Sequence, residues 1–131
     1  MKHFTIAEAE ALIPELEKIF EAVAELAAKA ELKAEGLRRR REDVDADPAA
    51  AAIELSQIQF LAQAINERLR KIVELGALPK GIEPALVDFP SHLDGRDVYL
   101  CWRLGEKSLT HYHGSDEGFA ERRLLPRRRL S

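Results

Sequence analysis

Apolar residues recur through the first half of the chain at steps of four and three. Leu12, Leu16, Ile19, Val23, Leu26, Ala30 and Leu37 fall on one stripe, interrupted only at Lys33. That spacing follows the helical repeat, and Ile13, Phe20 and Ala27 widen the stripe into a face. Thr5 and Glu8 stand at capping-box spacing, which predicts a helix starting just after Thr5. Pro14 removes an amide donor and crowds the carbonyl one turn back. Because the stripe runs through it, a kink is expected there. A second stripe of Ala51, Leu55, Ile58, Ala62, Ile65, Leu69 and Ile72 predicts a helix from about Pro48 to Leu75. Asp47 suits its N-cap, Pro48 its first turn and Gly76 its C-terminal stop.

Two such helices with a short acidic connector predict a coiled-coil-like antiparallel hairpin over residues 1–78. At 1.5 Å per residue they would run roughly 50 Å and 40 Å. Phe20, Phe60 and Leu61 sit beside the stripes, and two helices cannot cover both of their own apolar faces. A homodimer is therefore expected.

After Gly76 the pattern changes. Gly76–Pro84 reads as turn and linker, with two glycines and two prolines. Ala85–Phe89 reads as a short strand stopped by Pro90, and Asp94-Gly95 as a turn. Asp97–Leu104 alternates with period two: Val98, Leu100, Trp102 and Leu104 on one face, Tyr99, Cys101 and Arg103 on the other. Ser108–His113 would pair back onto it, with Cys101 roughly opposite His111. The expected fold is α+β: the helical hairpin, then a small three-stranded antiparallel sheet. That sheet belongs to a module at 79–131 packed on the hairpin base, with a basic C-terminal tail.

Charge and composition narrow the function classes. Twenty basic and 23 acidic side chains give a formal charge of -3, which excludes a wholly basic nucleic-acid binder. A single cysteine excludes an intrachain disulfide and a thiolate-only zinc site. No apolar run is long enough to span a bilayer. Met1–Thr5 is followed at once by Glu8, Glu10, Glu15 and Glu17, unlike a secretory leader, so a cytoplasmic protein is expected. There is no glycine-rich loop between a strand and a helix, hence no nucleotide fingerprint.

The chemically capable residues crowd the second half. One arrangement is a binding site for a small anion or a protein partner. In it Arg96, Arg103 and Arg122 grip a negative group, His113 serves as an adjustable donor, and Asp88 and Glu106 complete the set. An alternative is a small metal-dependent hydrolase. His111 and His113 lie two apart on a strand, about 7 Å from each other on one face. With Glu106 from the adjoining turn they could hold a divalent metal such as zinc. A third arrangement uses Arg38–Arg41 and the basic tail Pro126–Ser131 to touch nucleic acid. Acidic residues at 42, 43, 45 and 47 argue instead for ion pairing at the helix tips.

Several of these residues stand in a recognisable order. Val87-Asp88-Phe89-Pro90, Gly95-Arg96 and Val98-Tyr99-Leu100-Cys101-Trp102-Arg103-Leu104-Gly105-Glu106 are followed by His111-Tyr112-His113 and by Gly118-Phe119 with Arg122. Together with Phe4-Thr5, Glu8-Ala9 and Leu12–Pro14, this pattern resembles DUF2203, a bacterial and archaeal family of unknown function. Tyr112 stands where the family pattern usually has Trp, which keeps the aromatic character. The resemblance implies no activity. It puts weight on Asp88, Arg96, Cys101, Trp102, Glu106, His113 and Arg122.

Overall fold

The computed structural model describes residues 2–126. Its elements are α1 (Ile6–Ala11), α2 (Ile13–Glu42), α3 (Pro48–Glu74), β1 (Leu78–Ile82), β2 (Ala85–Leu93), β3 (Arg96–Arg103), β4 (His111–Gly114) and β5 (Arg123–Leu124), with a short 3-10 turn at Phe119–Glu121. None of its helices is long and apolar enough to cross a membrane. The chain forms two compact units. One comprises the residues through Phe20 together with those from Lys71 onward, and the other comprises Glu21–Arg70.

The caps follow the sequence. Thr5 and Glu8 form a capping box: the Glu8 amide donates to Thr5 Oγ1, and the Thr5 amide donates to Glu8 Oε1. At Pro14 the helix stops and restarts. Leu12 closes α1 as its C-cap, and α2 begins one residue later, in place of the expected kink. The prolyl nitrogen then falls in the first turn of α2, where no donor is needed. Asp47 Oδ1 accepts from the Ala49 amide at the start of α3. Gly76, at φ +97°, ends it, with Gly76 N–H donating to Val73 O and Ala77 N–H to Ile72 O. That is a Schellman closure.

The expectation of three strands is overturned: the sheet has five antiparallel strands in the order β1-β2-β3-β4-β5. The segment expected to be linker supplies β1. Pro79 and Gly81 are tolerated because β1 is an edge strand. Its register shifts between Pro79 and Gly81, leaving Lys80 as the extra residue of a bulge. β5, two residues long, is too short to show a period in sequence.

β2 also continues through Pro90 instead of stopping there. In an antiparallel strand a residue's N–H and C=O point to the same side. The Pro90 carbonyl accepts from the Phe4 amide at 2.7 Å, so Pro90 turns away from β3 and its missing N–H removes no bond to that strand. β2 and β3 pair from Leu86↔Arg103 to Leu93↔Arg96 around Asp94-Gly95. Both turn residues have positive φ, as a two-residue hairpin turn requires.

One face of the sheet is the core of this unit. Val87, Phe89, Val98, Leu100 and Trp102 are buried, and so are Phe4, Ile13, Leu16, Phe20 and Ile72 from the helical segments. Phe4 meets Phe89 edge-on at 5.1 Å, and Phe20 lies 6.1 Å from Trp102. The indole N–H of Trp102 donates to the Glu106 carbonyl, so its one polar atom is satisfied. Ser91 Oγ donates to the Phe4 carbonyl, and Glu10 accepts from the Leu109 amide, which tie the chain start to the strands.

In the Glu21–Arg70 unit the two helical segments run antiparallel. Glu54 receives Arg40 at 2.8 Å and lies against Gly36, where a Cβ would collide with its carboxylate. Val23, Leu37 and Leu61 are buried there. Phe60, Leu32 and Ile53 are exposed at 71%, 76% and 60%. The arginines of the α2 C-terminus pair locally. Arg38 reaches Glu31 and Glu35, and Arg39 reaches Glu35. Hydrogen bonding from Arg38 holds the Glu35 carboxyl below its usual range.

Candidate functional site

The opposite face of the sheet carries the chemistry. Residues paired across antiparallel strands point to the same side. The register Asp88↔Cys101↔His111 and Pro90↔Tyr99↔His113 therefore puts all of these on one face. Three of the polar residues on this face are not in water. Asp88 is 4% exposed, Cys101 1% and His113 2%. They border a cavity of about 270 Å³ whose remaining wall includes Tyr99, the bulge residue Lys80, and Ser115, Glu117, Gly118 and Phe119 from the segment after β4.

Asp88 Oδ2 and His113 Nε2 are 3.0 Å apart. The other ring nitrogen, Nδ1, lies 2.9 Å from the Gly114 carbonyl. A carbonyl can only accept, so Nδ1 carries a hydrogen and donates it. Nε2 then faces a carboxylate, and a positive centre must stand between two atoms that would otherwise both be acceptors. A proton can fill that role, and so can a metal ion. The Cys101 thiol belongs to the same group: one ligand atom from each of Asp88, Cys101 and His113 can be chosen so that all lie within 4.8 Å of one another. Burial, reinforced by the Asp88 charge, pushes the thiol up to about 11, while a hydrogen bond from Arg122 pulls the other way. A thiol so disposed is no free nucleophile at neutral pH.

Arg122 closes the site at its side. It grips Glu106 through two hydrogen bonds, 3.2 Å and 3.5 Å long, and stacks over Phe119 at 4.4 Å. Glu106 also accepts from the Arg103 amide, which fixes the β3 turn. Asp88, Cys101, His113, Arg122 and Glu106 thus form one connected group. Arg103 is exposed, and Arg96 lies at the exposed start of β3 beside a different surface cavity that Arg123 and Glu117 also line. Neither Arg96 nor Arg103 is part of the wall of the cavity over Asp88, Cys101 and His113. His111 is half-buried with Nδ1 2.8 Å from Thr110 Oγ1. Among the described residues, neither three-ligand cluster contains Glu106 or His111.

The second cluster is exposed and unites residues far apart in sequence. His92 pairs with Asp97 across the β2–β3 hairpin, with Nδ1 2.9 Å from Oδ1. His3 stacks on His92 with ring centroids 3.8 Å apart. Nothing local in the sequence marks His3. The resemblance puts weight on Cys101, although its place on a strand beside Trp102 suits core filling equally well.

No curated protein and no solved structure matches this chain. A family model described as uncharacterized conserved protein (DUF2203) matches residues 2–125. Five of the seven residues weighted by the earlier resemblance make up the connected group, Trp102 anchors the core behind it, and Arg96 stands apart. With nearly its whole length covered, the chain belongs to the DUF2203 family.

Proposed function

We propose that this protein is a small binding module whose ligand enters the cavity over Asp88, Cys101 and His113. The observation that carries the reading is the burial of these three side chains on the sheet face away from the core. The core has no use for them, and buried polar groups that merely fill space are costly. Arg122 and Glu106 support the wall, and Tyr99 and Phe119 give it apolar surface. A buried thiol of this kind suits the reducing cytoplasm, where we place the protein. Native mass spectrometry of protein purified from cells without a tag tests the reading. The expected result is a non-covalent adduct on the wild type that is lost in Asp88→Asn. A bare chain mass in both would overturn it.

Self-association is the second part of the proposal. Phe60, Leu32 and Ile53 present apolar surface on the Glu21–Arg70 unit, as a self-complementary patch would. Light scattering at high concentration is expected to give a dimer mass, and Phe60→Glu the monomer. Contact with nucleic acid is not favoured. Arg38, Arg39 and Arg40 are engaged with glutamates, and residues 127–131 of the basic tail lie outside the described residues.

A further inference from the structure

We propose that Asp88, Cys101 and His113 hold a single divalent metal ion of the zinc class, an inference that rests on the binding reading above and names its ligand. Three adjacent strands supply one ligand each. Asp88 and Cys101 are directly opposed, and His113 stands on the next strand, opposite Tyr99. The ladder therefore fixes the spacing of the ligands. Donor atoms held tetrahedrally by one zinc lie about 3.3–3.7 Å apart. The carboxylate and imidazole here are 3.0 Å apart, and all three donors are within 4.8 Å.

The surroundings agree with a cation. His113 Nδ1 is committed to the Gly114 carbonyl, which aims Nε2 at Asp88 and matches the outer hydrogen bond that metal-ligating histidines use. A carboxylate and a thiolate together neutralise a dication, so the buried centre needs no further counter-charge. Arg122, which hydrogen-bonds the thiol, is already matched by Glu106. The thiolate and imidazole donors select zinc or cobalt over magnesium or calcium, which require oxygen ligands. All three ligands border the cavity, so the remaining coordination position opens into it. The His3, His92 and Asp97 cluster lacks the sulfur and the burial, which makes it an internal control.

The test uses the full chain, purified without a tag and stripped with a chelator, then titrated with Co²⁺. Cys101 is the only cysteine in the protein, so a sulfur-to-cobalt charge-transfer band in the near ultraviolet can come from no other residue. One equivalent of Co²⁺ is expected to raise that band together with intense tetrahedral visible bands, and Zn²⁺ is expected to abolish both. Cys101→Ser should remove the band, His113→Ala should weaken Zn²⁺ binding more than about 100-fold, beyond the effect of an outer-shell change, and His92→Ala should leave both intact. Co²⁺ binding without the sulfur band, or binding lost in His92→Ala and kept in His113→Ala, would overturn the proposal. The wild-type spectrum decides the matter even where a variant fails to fold. An organic adduct in native mass spectrometry with no Co²⁺ binding would sink the metal and leave the binding module standing. Absence of both would sink both.

Discussion

The two faces of the sheet are made by the same strands and obey different rules. On β2, Val87 and Phe89 turn to the helices while Asp88 between them turns away, and on β3, Leu100 and Trp102 do the same around Cys101. All six are buried. The apolar face is held by area and shape, which tolerate small changes in the identity of a hydrophobe. The polar face is held by direction: each donor must meet one acceptor, and removing a partner strands the other in a place without water. Period two in a sequence separates the faces. It does not say that the second face is wet.

That difference predicts a graded set of losses. Trp102→Ala removes the largest side chain of the apolar face and is expected to cost about 3–5 kcal/mol, read by denaturant unfolding. His113→Ala is expected to cost roughly 3 kcal/mol, because it leaves the buried Asp88 carboxylate unpaired. The double variant Asp88→Ala with His113→Ala should lose less than the sum of the two singles, by about 1–3 kcal/mol of coupling. A strictly additive cycle would mean that the pair does not act as a unit, and the contrast between the faces would fail.

The next effect is one of pH. Cys101 is raised from an ordinary value of 9.0 to about 11 by burial, so the native state keeps its thiol proton after the unfolded chain has lost it. Stability of the metal-free protein should therefore fall as pH rises from about 9 to about 11, since the unfolded state binds fewer protons there. Cys101→Ala should flatten that part of the curve, and the native thiol should resist alkylation at neutral pH. A smaller loss, about 1 kcal/mol, is expected for Thr5→Ala, which opens the α1 cap. Arg38→Ala at the α2 end should leave the melting temperature unchanged, because its partners are exposed and solvent screens them.

Local signals were legible wherever the physics is local. The Thr5/Glu8 box, Asp47, the Gly76 closure, the Asp94-Gly95 turn and the pairing of Cys101 with His111 all follow from residues close in sequence or one hairpin apart. The misread segments share a cause. Pro79 and Pro90 look like strand breakers only when one assumes that a strand needs all its amides. An edge position spares β1 that need, and the outward turn of Pro90 spares β2. The candidate site shows the same limit. Asp88, Glu106, His113 and Arg122 can be nominated one by one, but spacing cannot tell on which surface Arg96 or Arg103 ends. His3 carried no signal at all, since its partner lies on a hairpin near the other end of the chain.

The sequence by itself determined the two long helices, their caps, the antiparallel strands at the centre of the sheet and the family. These rest on periodicity and on contacts between near neighbours, which a linear string records. The tertiary structure alone decided that the sheet has five strands and that part of its polar face is buried. It also brought an acid, a thiol and an imidazole from three strands into one dry group. Such facts depend on which distant segment covers which surface, and burial changes the chemistry of a side chain without changing the letter that encodes it.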